Sequence, residues 1–153
     1  MYTYFKNIKS KIKGEKMRSK KDAFVIISVF RNNKPLFENI DNTAKAVTHL
    51  QSFGLKTKIV DGVYKGDSEK SILVPIINQN FDLSTVKQLA SIYDQESILF
   101  VDSDRNAKLI FLKNSLGNQN LGKFISVPKG IAIQVENYTF DGKDHYICDL
   151  RGI

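Results

Sequence analysis

Apolar residues recur along this chain with two periods, and the switches between them divide it into elements. Residues 23–30, Ala-Phe-Val-Ile-Ile-Ser-Val-Phe, are a continuous β-branched and aromatic run that predicts a buried central strand. Asn32, Asn33 and Pro35 interrupt it. Asp41 or Asn42 can then cap a helix by accepting amide protons of its first turn. Ala44, Val47, Leu50 and Phe53 continue at helical spacing, and Gly54 supplies the stop. Strands are expected at 57–63 and 71–77, with Gly66-Asp67-Ser68 turning between them. Asp82 or Ser84 caps a second helix carrying Val86, Leu89, Ala90 and Tyr93. Further strands follow at 97–101 and 108–112, joined by a tight turn at 102–106. After a polar loop at 115–122 come strands at 124–127, 131–140 and 145–150, the last two turning at Asp141-Gly142.

The order β-α-β-β-α-β with appended hairpins predicts an α+β fold: a ferredoxin-like antiparallel sheet with two helices on one face, plus C-terminal β-hairpins. A length of 153 residues suits one domain, and it is expected over residues 22–153. No apolar run approaches the ~20 residues of a membrane helix.

Charge changes the picture only at one end. The chain carries a formal +7, which invites a nucleic-acid reading. Residues 1–21 hold eight bases (Lys6, Lys9, Lys11, Lys13, Lys16, Arg18, Lys20, Lys21) against Glu15 alone, so this arm carries the whole excess. The remainder is balanced and makes no electrostatic claim on nucleic acid. The arm reads as a disordered basic segment, and Met17 inside it is a second candidate start. The apolar run behind it is short and ends in Arg31-Asn32-Asn33-Lys34 without a cleavage pattern, so no signal peptide is read and the cytoplasm is the expected location.

Several familiar chemistries are excluded. The single Cys148 rules out an intramolecular disulfide, and only His49 and His145 are available to a zinc site. Cys148 and His145 fall on opposite faces of a strand, which separates a thiol from its base. Gly66-Asp67-Ser68-Glu69-Lys70-Ser71 resembles a phosphate loop, but Glu69 stands where glycine is needed. Asp102-Ser103-Asp104-Arg105-Asn106 opens like a calcium loop, but Ala107 and Lys113 occupy the glycine and glutamate positions.

Three polar clusters remain. Ser28, Val29, Phe30 and Arg31, with Asn32, end the first strand, where backbone groups beside a ring suit a flat ligand; Phe30 as core and Arg31 as solvated exit is the plainer reading. Asp61-Gly62-Val63-Tyr64 and Glu69-Lys70 lie on consecutive strands. A phenol and a carboxylate can converge there on a diol or an ammonium, or Glu69 can simply face solvent. Gln95 and Glu96 precede the fourth strand, as an ordinary connection or as support for a site.

Read together, five segments resemble phage-encoded S-adenosylmethionine lyases, long called AdoMet hydrolases. They are 24–32, where Val29 replaces the family's alanine; Asp61-Gly62-Val63-Tyr64; Glu69-Lys70; 86–99; and Val127-Pro128-Lys129-Gly130. The resemblance covers about residues 22–149. It implies a PII-like fold, a homotrimer with sites between subunits, and cleavage of S-adenosylmethionine to 5′-methylthioadenosine and L-homoserine lactone without metal or cofactor. It implies catalytic roles for Glu69 and Tyr64, and substrate-binding roles for Ser28, Val29, Phe30, Arg31, Gln95 and Glu96. A phage counter-restriction role is the implied context, with a host enzyme as an additional protein partner left open. Three other classes are weighed against this: a non-enzymatic PII-like trimer that binds AdoMet or an adenine ligand, a nucleic-acid or membrane-surface binder acting through the arm, and an inhibitor of a host enzyme.

Overall fold

The computed structural model describes residues 22–64, 66–113 and 117–152, the side chains of 64 and 152 excepted. The basic arm therefore lies outside the described residues, as does the tip of the 115–122 loop. Strand β1 (Ala23–Ile27) leads to helix α1 (Leu36–Ser52), the hairpin of β2 (Lys58–Tyr64) and β3 (Asp67–Ile76), and helix α2 (Gln79–Ile92). Then come β4 (Ser97–Val101), β5 (Asn106–Phe111), β6 (Asn118–Val127), a single turn α3 (Lys129–Ala132), β7 (Tyr138–Phe140) and β8 (His145–Asp149).

The eight strands close into an antiparallel barrel in the order β1-β3-β2-β7-β8-β6-β5-β4, with β4 pairing back onto β1. This corrects the expectation of an open ferredoxin-like, PII-like sheet with appended hairpins. The C-terminal strands are part of the wall. β5 takes the free edge of β4, β7 takes the free edge of β2, and β6 and β8 bridge the gap. An open sheet would leave two unpaired edges, and closure removes both.

Strand alternation then sorts the apolar residues onto two surfaces. Val25, Ile27, Ile72, Val74, Ile98 and Phe100 face outward and are covered by Ala46 and Leu50 of α1 and Val86, Leu89 and Ala90 of α2. Phe24, Leu73, Leu99, Val101, Ala107, Leu121, Phe124, Tyr146 and Cys148 come from strands all round the wall yet pack together, which places them inside. Phe24 meets Phe124 edge-on at 5.4 Å, and Phe124 stacks on Tyr146 at 5.0 Å. An eight-stranded barrel is just wide enough to be filled by such side chains. On the far outer side α3 covers β6 and β8 through Ala132, Val127 and Ile147.

Local departures have local causes. Helix α1 starts at Leu36 behind Pro35, six residues before the helix expected from Asp41 or Asn42. Its buried stripe is Asn39, Thr43, Ala46 and Leu50, whereas Phe53 is 48% exposed. Helix α2 is capped by Asn78, which accepts from the Phe81 amide, while Asp82 reaches back to the amides of Ile77 and Asn78. Asp82 therefore acts from inside the first turn rather than as the cap itself. The expected strand at 131–140 is strand only at its end, because α3 takes its beginning. Gly122 has φ +81°, and an added Cβ would lie 2.0 Å from the Asp149 carbonyl oxygen, so only glycine fits where β6 is pressed against β8.

Candidate active site

At one end of the barrel β1 and β2 finish and β3 begins. Glu69 sits two residues into β3, opposite Gly62 of β2. Alternation turns Glu69 inward with Ser71 and Leu73, and turns its neighbour Lys70 outward, where its ammonium donates to Asp61 Oδ1 at 2.5 Å. The Glu69-Lys70 pair is thus split between two faces. Gly62 leaves the Glu69 carboxylate uncovered: a Cβ there would stand 3.2 Å from Ser71 Oγ and 3.8 Å from Glu69 Cγ.

Ser28 follows directly on β1. Its N–H donates to Gln95 Oε1 at 3.1 Å, and its hydroxyl donates to the Lys70 carbonyl at 3.3 Å and accepts from the Phe30 N–H at 3.3 Å. Ser28 therefore ties β1, β3 and the α2–β4 connection at one point. Burial pushes the Glu69 carboxyl above its ordinary range, with Asp67 adding to it. The Ser28 hydroxyl and the Arg31 charge act the other way without overcoming the burial. A half-buried carboxylate without full compensation favours a cationic or hydrogen-donating ligand.

Arg31 is held by carbonyls. Its Nη1 donates to Phe30 O at 2.7 Å and Ser28 O at 3.3 Å, and its Nη2 donates to Tyr93 O at 2.6 Å at the C-terminal end of α2. A cation there also meets the negative end of the helix dipole. Asn39, buried at 5% exposure, grips Arg31 from the other side: Oδ1 accepts the Arg31 N–H at 2.9 Å and Nδ2 donates to the Arg31 carbonyl at 3.0 Å. Sequence reasoning missed Asn39 and Ser71. The only signal for Asn39 was a polar residue on what proves to be the buried stripe of α1.

Ser28, Glu69 and Gln95 come together, with Arg31 fastening the segment between them. Val29 does not join them, since its side chain is 2% exposed and packs into the helix-covered core. Phe30 is half-buried, and Glu96 is exposed with its carbonyl accepting from Leu112. The Tyr64 side chain lies outside the described residues. Cys148 faces the barrel interior, where burial pushes its thiol up to about 11, while His145 stacks on Phe140 at 4.4 Å. Among the described residues no three His, Cys, Asp or Glu side chains converge as metal ligands, and no helix is long and apolar enough to cross a membrane.

A half-buried carboxylate among a hydroxyl, an amide and backbone groups at a barrel end is equipment for holding a small polar or cationic ligand. Residues 25–149 match the model of the S-adenosylmethionine lyase family, and the chain belongs to that family. Membership supports S-adenosylmethionine as substrate and a lyase as the type of enzyme. No curated protein matches the chain.

Proposed function

We propose that this protein cleaves S-adenosylmethionine to 5′-methylthioadenosine and L-homoserine lactone. The substrate's own carboxylate oxygen attacks its γ carbon, the C–S bond breaks, and its electron pair returns to sulfur as a neutral thioether. Carboxylate and sulfonium charges are quenched together, so a partly apolar, water-poor site favours the transition state over the separated charges. Neither a general base nor a metal has to act. The protein's task is to fold the methionine portion until oxygen meets carbon.

The observation that carries this reading is Glu69, half-buried and left uncovered by Gly62, within the span matched to the family. Glu69 binds the ribose hydroxyls or the α-ammonium. Tyr64 orders the methionine portion. Ser28 and Phe30 hold adenine through backbone groups and ring packing, Val29 through its backbone alone, Arg31 keeps that segment in place, and Gln95 and Glu96 support the site. The domain assembles as a homotrimer with sites between subunits; exposed Phe37, Ile77 and Ile92, at 76%, 74% and 68%, supply apolar surface for that contact. In a phage-infected cell the reaction would remove the methyl donor from host methyltransferases and from AdoMet-dependent restriction enzymes in the host cytoplasm.

The deciding experiment incubates the protein with S-adenosylmethionine and identifies products by mass. Methylthioadenosine with homoserine lactone is the expected result. Homoserine formed directly makes it a hydrolase, and saturable binding without product makes it a non-enzymatic binder.

A further inference from the structure

The opposite end of the barrel contains a cavity of about 100 Å³ that none of Ser28, Arg31, Glu69 or Gln95 lines. Phe24, Phe124 and Tyr146 form its aromatic wall, Val60 and Leu73 its apolar floor, and Lys58, Arg105 and Asp141 its polar rim. The volume is about two thirds of the ~150 Å³ of an engineered cavity that admits benzene.

Arg105 is built into place. Its backbone adopts φ +69°, a left-handed conformation that costs a non-glycine residue on the order of 1–3 kcal/mol. The surrounding loop enforces it. The Asp102 carboxylate accepts the N–H of Asp104 and of Asn106, each at 2.9 Å, and the Asp102 carbonyl accepts the Arg105 N–H at 3.0 Å. The Arg105 carbonyl accepts from Phe124 at 2.8 Å. The guanidinium lies over the Phe24 ring, 5.4 Å from its centroid, and its hydrogen bond goes to the Asp22 carbonyl at 3.4 Å rather than to a carboxylate.

Asp141, by contrast, is already occupied. Its Oδ1 accepts the N–H of Lys143 and Asp144 at 2.9 and 2.7 Å, and its Oδ2 accepts the Tyr146 hydroxyl at 3.2 Å. Lys58 Nζ stands 3.8 Å from Asp141, beyond a hydrogen bond, on a side chain that is 56% exposed. Among the lining residues two cations face one satisfied carboxylate, while the charges of Asp22 and Asp102 act on Arg105 from beyond the lining.

We propose that this mouth is a second binding site, for a small planar organic anion: a ring carrying a carboxylate or a phosphate. The ring packs against Phe24, Phe124 and Tyr146. The charged group meets the guanidinium fork of Arg105, with Lys58 turning to join it.

The test uses the full-length protein, with benzoate and phenyl phosphate as probes and neutral benzyl alcohol as the control, followed by amide shifts. Saturable shifts at Phe24, Arg105 and Tyr146 are expected, with the tighter of the two anions naming the head group. Arg105→Asn removes the cation yet tolerates the left-handed backbone, and should weaken binding about tenfold. Lys58→Gln, on another strand, should weaken it severalfold, while both variants retain S-adenosylmethionine cleavage. Benzyl alcohol binding as tightly as benzoate, unchanged affinity in both variants, or shifts centred on Ser28 and Glu69 would overturn the proposal.

Discussion

Glu69 and Asp141 are both half-buried carboxylates associated with the interior of one barrel, at opposite ends, and they have opposite electrostatics. Burial disfavours the charged form in each. At Asp141 that cost is overcome by the amides of Asp144 and Lys143, the Lys58 charge and the Tyr146 hydroxyl, which hold its carboxyl below the ordinary range. At Glu69 the Ser28 hydroxyl and Arg31 charge do not overcome it, and the carboxyl stays high. The turn after β7 supplies its own carboxylate with donors, which makes Asp141 structural. The start of β3 supplies Glu69 with few, which leaves it for a ligand.

The largest effect that could break this contrast is on turnover. Glu69→Gln keeps the shape and removes the charge, and should slow methylthioadenosine formation about tenfold to a hundredfold, the worth of a charge-assisted bond in a buried site. Near-normal turnover would remove Glu69 from the site. Next is stability at the other end. Asp141→Ala removes the carboxylate that accepts from two amides and from the Tyr146 hydroxyl and should cost about 1–3 kcal/mol in urea unfolding, with cleavage retained once folded. Loss of turnover greater than loss of stability would put Asp141 in the machinery instead.

A smaller effect comes from Gly62→Ala. Its methyl group lands 3.2 Å from Ser71 Oγ and beside Glu69, so turnover should fall severalfold while stability changes by under about 1 kcal/mol. The smallest is a pH signature. A carboxyl raised in the fold contributes stability below its unfolded pKa, and that contribution is lost as pH rises through the folded value. Glu69→Gln should therefore melt slightly higher than the parent at neutral pH, and the gain should vanish in acid. Asp141 runs oppositely. Its contribution is present above the unfolded value near 3.8 and is lost as pH falls through the lower folded value. Melting curves of the parent, Glu69→Gln and Asp141→Asn across pH 3 to 7 separate the two.

Legibility in the sequence followed the range of the interactions involved. The first strand, the apolar positions Val86, Leu89 and Ala90, and the Asp141-Gly142 turn are written locally in side-chain shape and turn chemistry, and each appears in the structure, although that strand, expected over 23–30, ends at Ile27 where Ser28 turns to the Gln95 side chain. Helix α1 was misread because its first turn exposes Leu36, Phe37 and Ile40, at 65%, 76% and 52%, and buries Asn39 instead. Hydrophobic spacing cannot reveal a buried amide whose partner is the backbone of Arg31. The run 118–122 read as loop because Asn118, Gln119 and Asn120 are polar and exposed, although its backbone pairs with β5.

By itself, the sequence determined the two long helices and most of the strands, though not α3 or the first half of β6, that the positive charge belongs to the first 21 residues, and which short segments carry the family resemblance. Those depend on neighbours a few positions apart. Closure of the sheet into a barrel, the split of Glu69 from Lys70, the fastening of Arg31 by Asn39 and the cavity around Arg105 were decided only by tertiary structure. Each needs groups distant in the chain to meet. β5 takes the edge of β4, β7 that of β2, and β6 and β8 join them, so the described strands leave no edge unpaired, and that is a property of the assembled sheet, not of any one strand.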